Sequence, residues 1–267
     1  MLCCMTLAAV VGWHTVSDAE WMGVTPVVPA ENEQIVRDQL IVIVDVTGSI
    51  GRFSRFDYEK CLVQAFTAAM PDGTYASGID SFAGVSSSEW VDLRLAPFSR
   101  SRMITGADNI EPLGSLTPLD RAIYNQRLEI TGRMGRGALL IFSDGKVRKP
   151  QGVLDACRNI EAAHGGDLCI FTVDVGDSAR GAQLLQDMAA VNGCGKYYNG
   201  ASLNSADAIH ALVRDIFLGP REVPPVAPPP VPEPPVWNLH VINFPNDVSV
   251  VASSYDAPLD EAAMILK

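Results

Sequence analysis

An unbroken run of apolar, mostly β-branched residues occupies positions 40–45 and ends in Asp45. Strands that are buried on both faces read this way, because neither face needs polar side chains. Similar short runs occupy residues 138–142 and 168–175, and segments with apolar residues three or four positions apart lie between the runs. This alternation predicts a parallel sheet wrapped by helices, which is a doubly wound α/β domain.

The remaining elements extend this pattern over residues 37–219. Strands are predicted at residues 75–82 and 90–95, and the short link between them requires an antiparallel pair. The predicted sheet is therefore mostly parallel with an antiparallel edge strand, and a short last strand follows at residues 195–198. Helices are predicted at residues 58–69, after residue 117, and at residues 152–164, 180–191 and 205–218.

The segments on either side of this domain differ from it in composition. Residues 1–19 hold an apolar stretch followed by small residues, which is typical of a secretory signal peptide, although a basic start is missing. The alternative is an ordinary buried apolar segment. Residues 20–36 form an N-terminal extension. Residues 220–236 contain nine prolines, and such a segment is a semi-rigid spacer up to about 50 Å long.

Charge and motifs exclude several classes of function. The net charge is −11, which argues against nucleic acid as a partner because affinity for phosphates depends on Lys and Arg. The histidines are scattered and no cysteine pair has zinc-site spacing. The sequence also has no nucleophile elbow, no phosphate-binding loop and no histidine beside a nucleophile. We therefore expect a binding protein and not an enzyme.

Five oxygen-bearing side chains lie at the ends of predicted elements on one edge of the sheet. Asp45, Thr47 and Ser49 follow the first strand, and Asp144 ends the strand expected beside it. Thr117 is predicted to be the N-cap of a helix whose first residue is the following proline. Ligands of doubly wound sheets bind at this edge, where the strand order reverses. A set of only oxygen ligands suits octahedral Mg²⁺ best, with Mn²⁺ or Ca²⁺ as alternatives.

Three short motifs carry a resemblance to a known family. Asp-x-Thr-Gly-Ser at residues 45–49, Thr-Pro-Leu at 117–119 and Ser-Asp-Gly at 143–145 occur in this order and context. Together they resemble the metal-ion-dependent adhesion site of von Willebrand factor type A domains. The resemblance extends over residues 37–219 and implies the α/β fold of that family.

The resemblance also implies roles for the five side chains. Ser49, Thr47 and Thr117 would coordinate a divalent cation directly, and Asp45 and Asp144 would act largely through waters. One coordination position would remain for a carboxylate of a protein partner. Two alternatives stay open at this point, a metal that only stabilises the loops of a structural envelope protein and a metal-dependent phosphohydrolase.

Basic residues gather near the same edge in the sequence. Arg52 and Arg55 follow the first loop, and Lys146, Arg148 and Lys149 follow Asp144. In an acidic protein, a positive rim around a metal would steer acidic ligands toward it. The alternative is that these residues are ordinary solvated loop charges.

The cysteines provide separate evidence on whether the protein is exported. Cys169 and Cys194 begin the predicted fifth and sixth strands, which would be neighbours in the sheet. A disulfide between them would fit an exported protein, and two free buried thiols are the alternative. Cys61 and Cys157 lie on apolar helix stripes and are predicted to be core residues.

The tail at residues 237–267 has a second, partial resemblance. A strand-like piece at residues 239–244 and a helix-like piece at 259–266 are similar to the start of an outer-membrane protein A-like (OmpA-like) domain, which associates with peptidoglycan. The Asp and Arg that grip the wall peptide in that family lie beyond the part that this tail matches. The alternative is that residues 237–267 form an unstructured tail. From the apolar N-terminus and the resemblance of the tail, we expect an exported protein of the periplasm or cell envelope.

Overall fold

The computed structural model describes residues 24–50, 55–83, 92–114, 116–130, 135–165, 167–221 and 253–265. The chain divides into two compact units, Met1–Glu222 and Val223–Lys267. The predicted signal peptide, most of the proline-rich linker and the predicted strand at residues 239–244 lie outside the described residues. Among the helices that the structure describes, none has the length and apolar character needed to cross a bilayer.

Eight strands are described in the first unit. They are β1 (Glu33–Ile35), β2 (Gln39–Asp45), β3 (Ala76–Phe82), β4 (Asp92–Pro97), β5 (Gly137–Ser143), β6 (Leu168–Asp174), β7 (Tyr197–Asn199) and β8 (Leu218–Pro220). Six of them form one sheet in the order β4-β3-β2-β5-β6-β7, in which only the β3–β4 pair is antiparallel. This confirms the predicted doubly wound, mostly parallel sheet and puts the reversal of strand order between β2 and β5.

Helices connect the strands and cover both faces of the sheet. In the first unit they are α1 (Arg55–Ala69), α2 (Arg100–Asp108), α3 (Leu119–Asn125), α4 (Arg127–Ile130), α5 (Pro150–His164), α6 (Ala179–Ala189) and α7 (Ala206–Phe217). In the second unit a short 3-10 turn, Ser253–Tyr255, leads into α8 (Asp256–Ile265).

Each face of the sheet buries its own apolar cluster. In β2, Val42 belongs to the cluster that α1 and α7 cover, and its neighbour Ile43 belongs to the cluster that α3, α5 and α6 cover. Every residue of β2 is buried. This double burial is the reason that the run at residues 40–45 shows no alternation of polar and apolar side chains.

Residues before the predicted domain start also pack on the domain. β1 pairs antiparallel with β8, with Ile35 opposite Leu218. Val27 is buried, and its N–H donates to the carbonyl of Ala69 at 2.9 Å. The folded unit therefore includes residues 24–36 and Pro220 in addition to 37–219. A three-residue strand is too short to show the periodic pattern by which sequence reasoning finds strands.

One helix has no counterpart among the sequence predictions. The structure has α2 between β4 and the loop that leads to α3, and the hydroxyl of Ser99 caps it by accepting from the N–H of Arg102. Within α2, only Met103, Gly106 and Ala107 are buried. The apolar stripe is therefore too short and too weak to stand out in the sequence.

Candidate metal centre

Asp45 ends β2 and is fully buried at the edge where the strand order reverses. Its Oδ1 accepts the N–H of Thr47 at 3.1 Å, and its Oδ2 accepts the hydroxyl of Ser143 at 2.6 Å. Both carboxylate oxygens are thus engaged by the chain itself. The Asp45 side chain shapes the loop that follows β2 and joins it to the end of β5.

The hydroxyl groups of Thr47, Ser49 and Thr117 lie close together near Asp45. The Oγ1 of Thr47 lies 3.3 Å from the Oγ of Ser49, and the hydroxyl of Thr117 donates to Thr47 Oγ1 at 3.2 Å. Adjacent ligands of an octahedral Mg²⁺ with bonds of about 2.1 Å lie about 3.0 Å apart. The spacing of these hydroxyls therefore fits neighbouring corners of such an ion.

The loop before α3 is tied to the loop after β2, which brings Thr117 to this point. The N–H groups of Leu113 and Gly114 both donate to the carbonyl of Val46 at 3.1 Å. The predicted N-cap role of Thr117 is wrong, because α3 begins at Leu119 and Pro118 is the N-cap residue, without a side-chain cap. Thr117 lies one residue earlier, where its hydroxyl is directed to Thr47 and not to a helix N–H.

Asp144 directly follows β5 and is fully buried beside Asp45. Its Oδ1 accepts the N–H of Lys146 at 3.0 Å. Its Oδ2 has no hydrogen-bond partner, and the nearest cationic group is the Nζ of Lys146 at 3.8 Å, which is too long for a hydrogen bond. A buried carboxylate oxygen without a partner is costly, and a bound cation would compensate it.

Glycines make room for the backbone of Asp144. A Cβ on Gly181, in the first turn of α6, would lie 2.1 Å from the Asp144 carbonyl oxygen, and a Cβ on Gly176 would lie 2.8 Å from the Asp144 Cβ. Gly145 adopts a φ of +65°, which side-chain-bearing residues rarely adopt. The position of this carboxylate therefore depends on close backbone contacts that only glycine permits.

Glu59 is a third buried carboxylate at this edge, and sequence reasoning missed it. It lies in α1, has no exposed surface, and its Oε1 accepts the N–H of Asp45 at 3.3 Å. Its Oε2 has no hydrogen-bond partner. Glu59 therefore contacts the backbone of Asp45, the first residue of the Asp-x-Thr-Gly-Ser motif, from α1.

The pKa values of Asp45 and Glu59 are both raised. The pKa of Asp45 is raised to about 7, mainly by burial; hydrogen bonds from Ser143 and Thr47 oppose this rise, and the charge of Asp144 adds to it. Burial also raises the pKa of Glu59 well above its usual range, and the charges of Asp45 and Asp144 add to this. The site therefore has too much buried negative charge for the positive charge nearby.

The described residues contain no group of three or more His, Cys, Asp or Glu side chains arranged to hold a metal ion. The candidate centre is of a different kind, because it combines hydroxyls with carboxylates that lie partly behind them. Such a site is found only when Ser and Thr are counted as ligands.

Comparison with solved structures identifies the fold. The von Willebrand factor domain of the type V pili tip protein Mfa5 from Porphyromonas gingivalis matches with a TM-score of 0.52 at 11% identity, over 68% of this chain and 96% of that one. A von Willebrand factor type A protein from Catenulispora acidiphila matches with a TM-score of 0.51 at 12% identity, over 67% and 43%. This chain has the von Willebrand factor type A fold.

A further match and the sequence comparisons complete this result. The manganese-loaded TRAP protein of Plasmodium vivax has a TM-score of 0.50 at 15% identity, over 72% of this chain and 78% of that one. This chain spans less than half of some other solved proteins that it resembles, 49% of one and 30% of another. No protein-family model and no curated protein matches the sequence.

The basic residues near the candidate metal centre fall into two groups. Arg55 forms an ion pair with Asp177, and Lys146 contacts the same carboxylate at 3.0 Å. Arg148 and Lys149 are exposed. Arg52 lies outside the described residues. Asp177, which the sequence analysis did not single out, thus engages two of the five residues of the predicted rim.

The two cysteines singled out in the sequence are joined by a disulfide. The Sγ atoms of Cys169 and Cys194 are 2.05 Å apart, and the bond links the second residue of β6 to the segment before β7. Cys61 and Cys157 are buried and belong to no disulfide. The disulfide closes the connection that contains α6, whose first turn packs against Asp144.

Proposed function

We propose that this type A domain is a protein-binding, adhesive module that takes up a divalent cation, Mg²⁺ foremost, and binds an acidic group of its partner through that ion. One arrangement carries the proposal, namely three clustered hydroxyls at the sheet edge where a buried carboxylate oxygen of Asp144 has no hydrogen-bond partner. Neutral hydroxyl ligands leave most of the charge of a divalent ion uncompensated, so a bound ion would attract a further anion.

The hydrogen bonds indicate which residues would bind the ion directly and which would act through water. The hydroxyls of Thr47, Ser49 and Thr117 would be the direct ligands. Asp45 already uses both carboxylate oxygens within the chain, so it would hold the loop in place and act on the ion through water. Asp144 would face the ion from below with its free oxygen.

A binding role is preferred to catalysis on chemical grounds. Hydrolysis at a metal requires a base or nucleophile near the bound water. The acids beside the hydroxyls are buried, and Asp45 is committed to structural hydrogen bonds. With Mg²⁺ and generic phosphoesters, we expect no turnover above that of an Asp45→Ala variant. Turnover that depends on Asp45 would instead favour the hydrolase.

Export to the cell envelope is part of the proposal. The Cys169–Cys194 disulfide supports it, because stable disulfides are typical of oxidising compartments. The similar structure from P. gingivalis is a domain of a pili tip protein. The proposal thus agrees with the apolar segment at the N-terminus, which resembles a signal peptide.

A pull-down from an envelope fraction tests the proposal directly. The full chain is immobilised with Mg²⁺ or with chelator, beside Thr47→Val and Ser49→Ala variants. Thr67→Val is the matched control, because Thr67 is also buried but its hydroxyl bonds to the carbonyl of Gln64. We expect a partner that is retained by the wild type and by Thr67→Val in Mg²⁺ only.

Two results of this experiment would contradict the proposal. One is retention of the same partner in chelator, and the other is its retention by folded Thr47→Val and Ser49→Ala proteins. Either would mean that the metal only stabilises the loops. Circular dichroism of each variant establishes that it is folded before the comparison is made.

A further inference from the structure

A groove of about 360 Å³ opens beside the three hydroxyls. Ser49 and Thr117 of the candidate metal centre form one end of it, and the loop after Asp144 together with the first turns of α3 and α5 forms the rest. Its size is at the lower end of the range of ligand sites, about 300–1,000 Å³. A ligand held at the hydroxyls would therefore extend into this groove.

The polar lining of the groove is cationic. Arg121, Lys146, Arg148 and Lys149 contribute four positive charges, and Asp120 is the acidic residue among the lining residues. Lys146 is engaged by Asp177. In contrast, Arg121, Arg148 and Lys149 form no ion pair with the part of the chain that the structure describes, and all three are exposed. Such a cluster is notable in a chain of net charge −11.

The remaining lining is apolar. Leu116 is 47% exposed and borders the groove beside Thr117. Half-buried Pro118 and Val147 also line the groove, and Val153 lies buried at its wall. An apolar surface between a cation site and a group of exposed cations favours a peptide over a polysaccharide or a free anion, because only a peptide supplies apolar and acidic side chains in alternation.

We infer that the groove binds an extended peptide segment of the partner that carries two acidic side chains with an apolar residue between them. This inference rests on the proposed function, since the first carboxylate reaches the cation at the hydroxyls. The second carboxylate contacts Arg148, Lys149 and Arg121, and the apolar side chain covers Leu116. The metal gives affinity for an acid, and the groove selects which acidic segment is bound.

Selection from a random peptide display library tests the inference without knowledge of the partner. The Mg²⁺-loaded full chain is compared with an Arg148→Gln/Lys149→Gln variant, and Lys196→Gln, an exposed cation outside the groove, is the matched control. We expect the wild type and Lys196→Gln to enrich sequences with two acidic residues flanking an apolar one. The double variant should enrich sequences with a single acidic residue.

The best peptide then allows a quantitative comparison. Replacing its second acid by the amide should weaken binding to the wild type about five- to tenfold, as for a cluster of partly exposed charge pairs. The same replacement should change binding to the double variant less than twofold. Equal losses in both proteins would overturn the inference.

The outcomes separate this inference from the proposed function. Cation-dependent peptides with only one acid, or without a preference for an apolar neighbour, contradict the groove alone. A library that yields no cation-dependent peptide contradicts the proposed function, and the groove inference falls with it. Cation-dependent retention of acidic polysaccharide in place of any peptide also overturns the inference.

Discussion

The Oε1 atom of Glu59 accepts a hydrogen bond from the backbone N–H of Asp45 at 3.3 Å, so a buried acid of α1 holds the first residue of the metal motif. The other carboxylate oxygen of Glu59 has no hydrogen-bond partner. The charge of Asp45 raises the pKa of Glu59, because two buried acids near each other are unfavourable when both are charged. The free energy of unfolding of the metal-free domain should therefore depend on pH, because of acids that lie where the cation is proposed to bind.

Metal-free protein should lose stability as the pH rises from about 4 to above 7. The pKa of Asp45 is raised to about 7 and that of Glu59 is raised well above its usual range, so the folded state keeps protons that the unfolded chain has released. The stabilisation is complete below the unfolded pKa values and is lost as the pH rises through the folded ones. For Asp45 alone it is of the order of 4 kcal/mol. Urea unfolding in chelator at several pH values measures it.

Two comparisons sharpen this pH prediction. Glu59→Gln keeps an acceptor for the Asp45 N–H but cannot ionise, so its stability should depend less on pH than that of the wild type. Mg²⁺ should stabilise the wild type more at pH 8 than at pH 5, because Asp45, whose pKa is raised to about 7, is largely ionised at pH 8. A wild type whose stability in chelator is constant between pH 4 and pH 8 would refute the account.

The burial of Glu59 could not be predicted from the sequence. The apolar stripe of α1 predicts one buried face, but Phe56, Val63 and Thr67 are buried as well. Because the helix is enclosed on more than one side, its periodicity no longer separates core from solvent. Glu59 borders the stripe, three residues before Leu62 and seven before Phe66, but a glutamate is expected to be exposed, so only the packing of α1 against the end of β2 reveals its burial.

Other parts of the site follow from the sequence for a simple reason. The carboxyl ends of parallel strands share one edge of the sheet, so Asp45 and Asp144 are predicted to be close, and the structure places both there. Asp177 follows β6 at the same edge and could have been found by the same argument. Its pairing with Arg55 depends on loop conformations, which no residue pattern specifies.

Thr117→Val should lower the affinity for Mg²⁺ or Mn²⁺ at least tenfold with little effect on folding. Valine has nearly the shape of threonine, but it lacks the oxygen that lies 3.2 Å from Thr47 Oγ1. Thr117 is outside the helix and caps nothing, so a loss of affinity cannot be ascribed to a lost cap. Isothermal titration calorimetry measures the affinity, and Thr117→Ser, which restores the hydroxyl, should recover most of it.

Reduction of the Cys169–Cys194 disulfide should destabilise the domain by roughly 3–4 kcal/mol, as expected for a loop of this length. The bond closes a segment of 25 residues, and opening it enlarges the ensemble of unfolded chains. Guanidinium unfolding with and without a phosphine reductant measures the difference. The reductant should have no effect on a Cys169→Ala/Cys194→Ala variant, since the remaining thiols of the described domain, Cys61 and Cys157, are not in a disulfide. An equal effect on that variant would contradict the prediction.

Gly181→Ala should destabilise the domain and weaken cation binding, although alanine is the better helix former by about 1 kcal/mol. Its Cβ would lie 2.1 Å from the carbonyl oxygen of Asp144, so either α6 or the loop after β5 must move. Gly152→Ala is the matched control, because Gly152 also lies in a helix but its nearest contact to a new Cβ is 3.8 Å. We expect the control to be neutral or slightly stabilising in thermal unfolding and to bind Mg²⁺ normally. If Gly181→Ala behaved like Gly152→Ala in both measurements, the close packing of α6 would have no role in positioning Asp144.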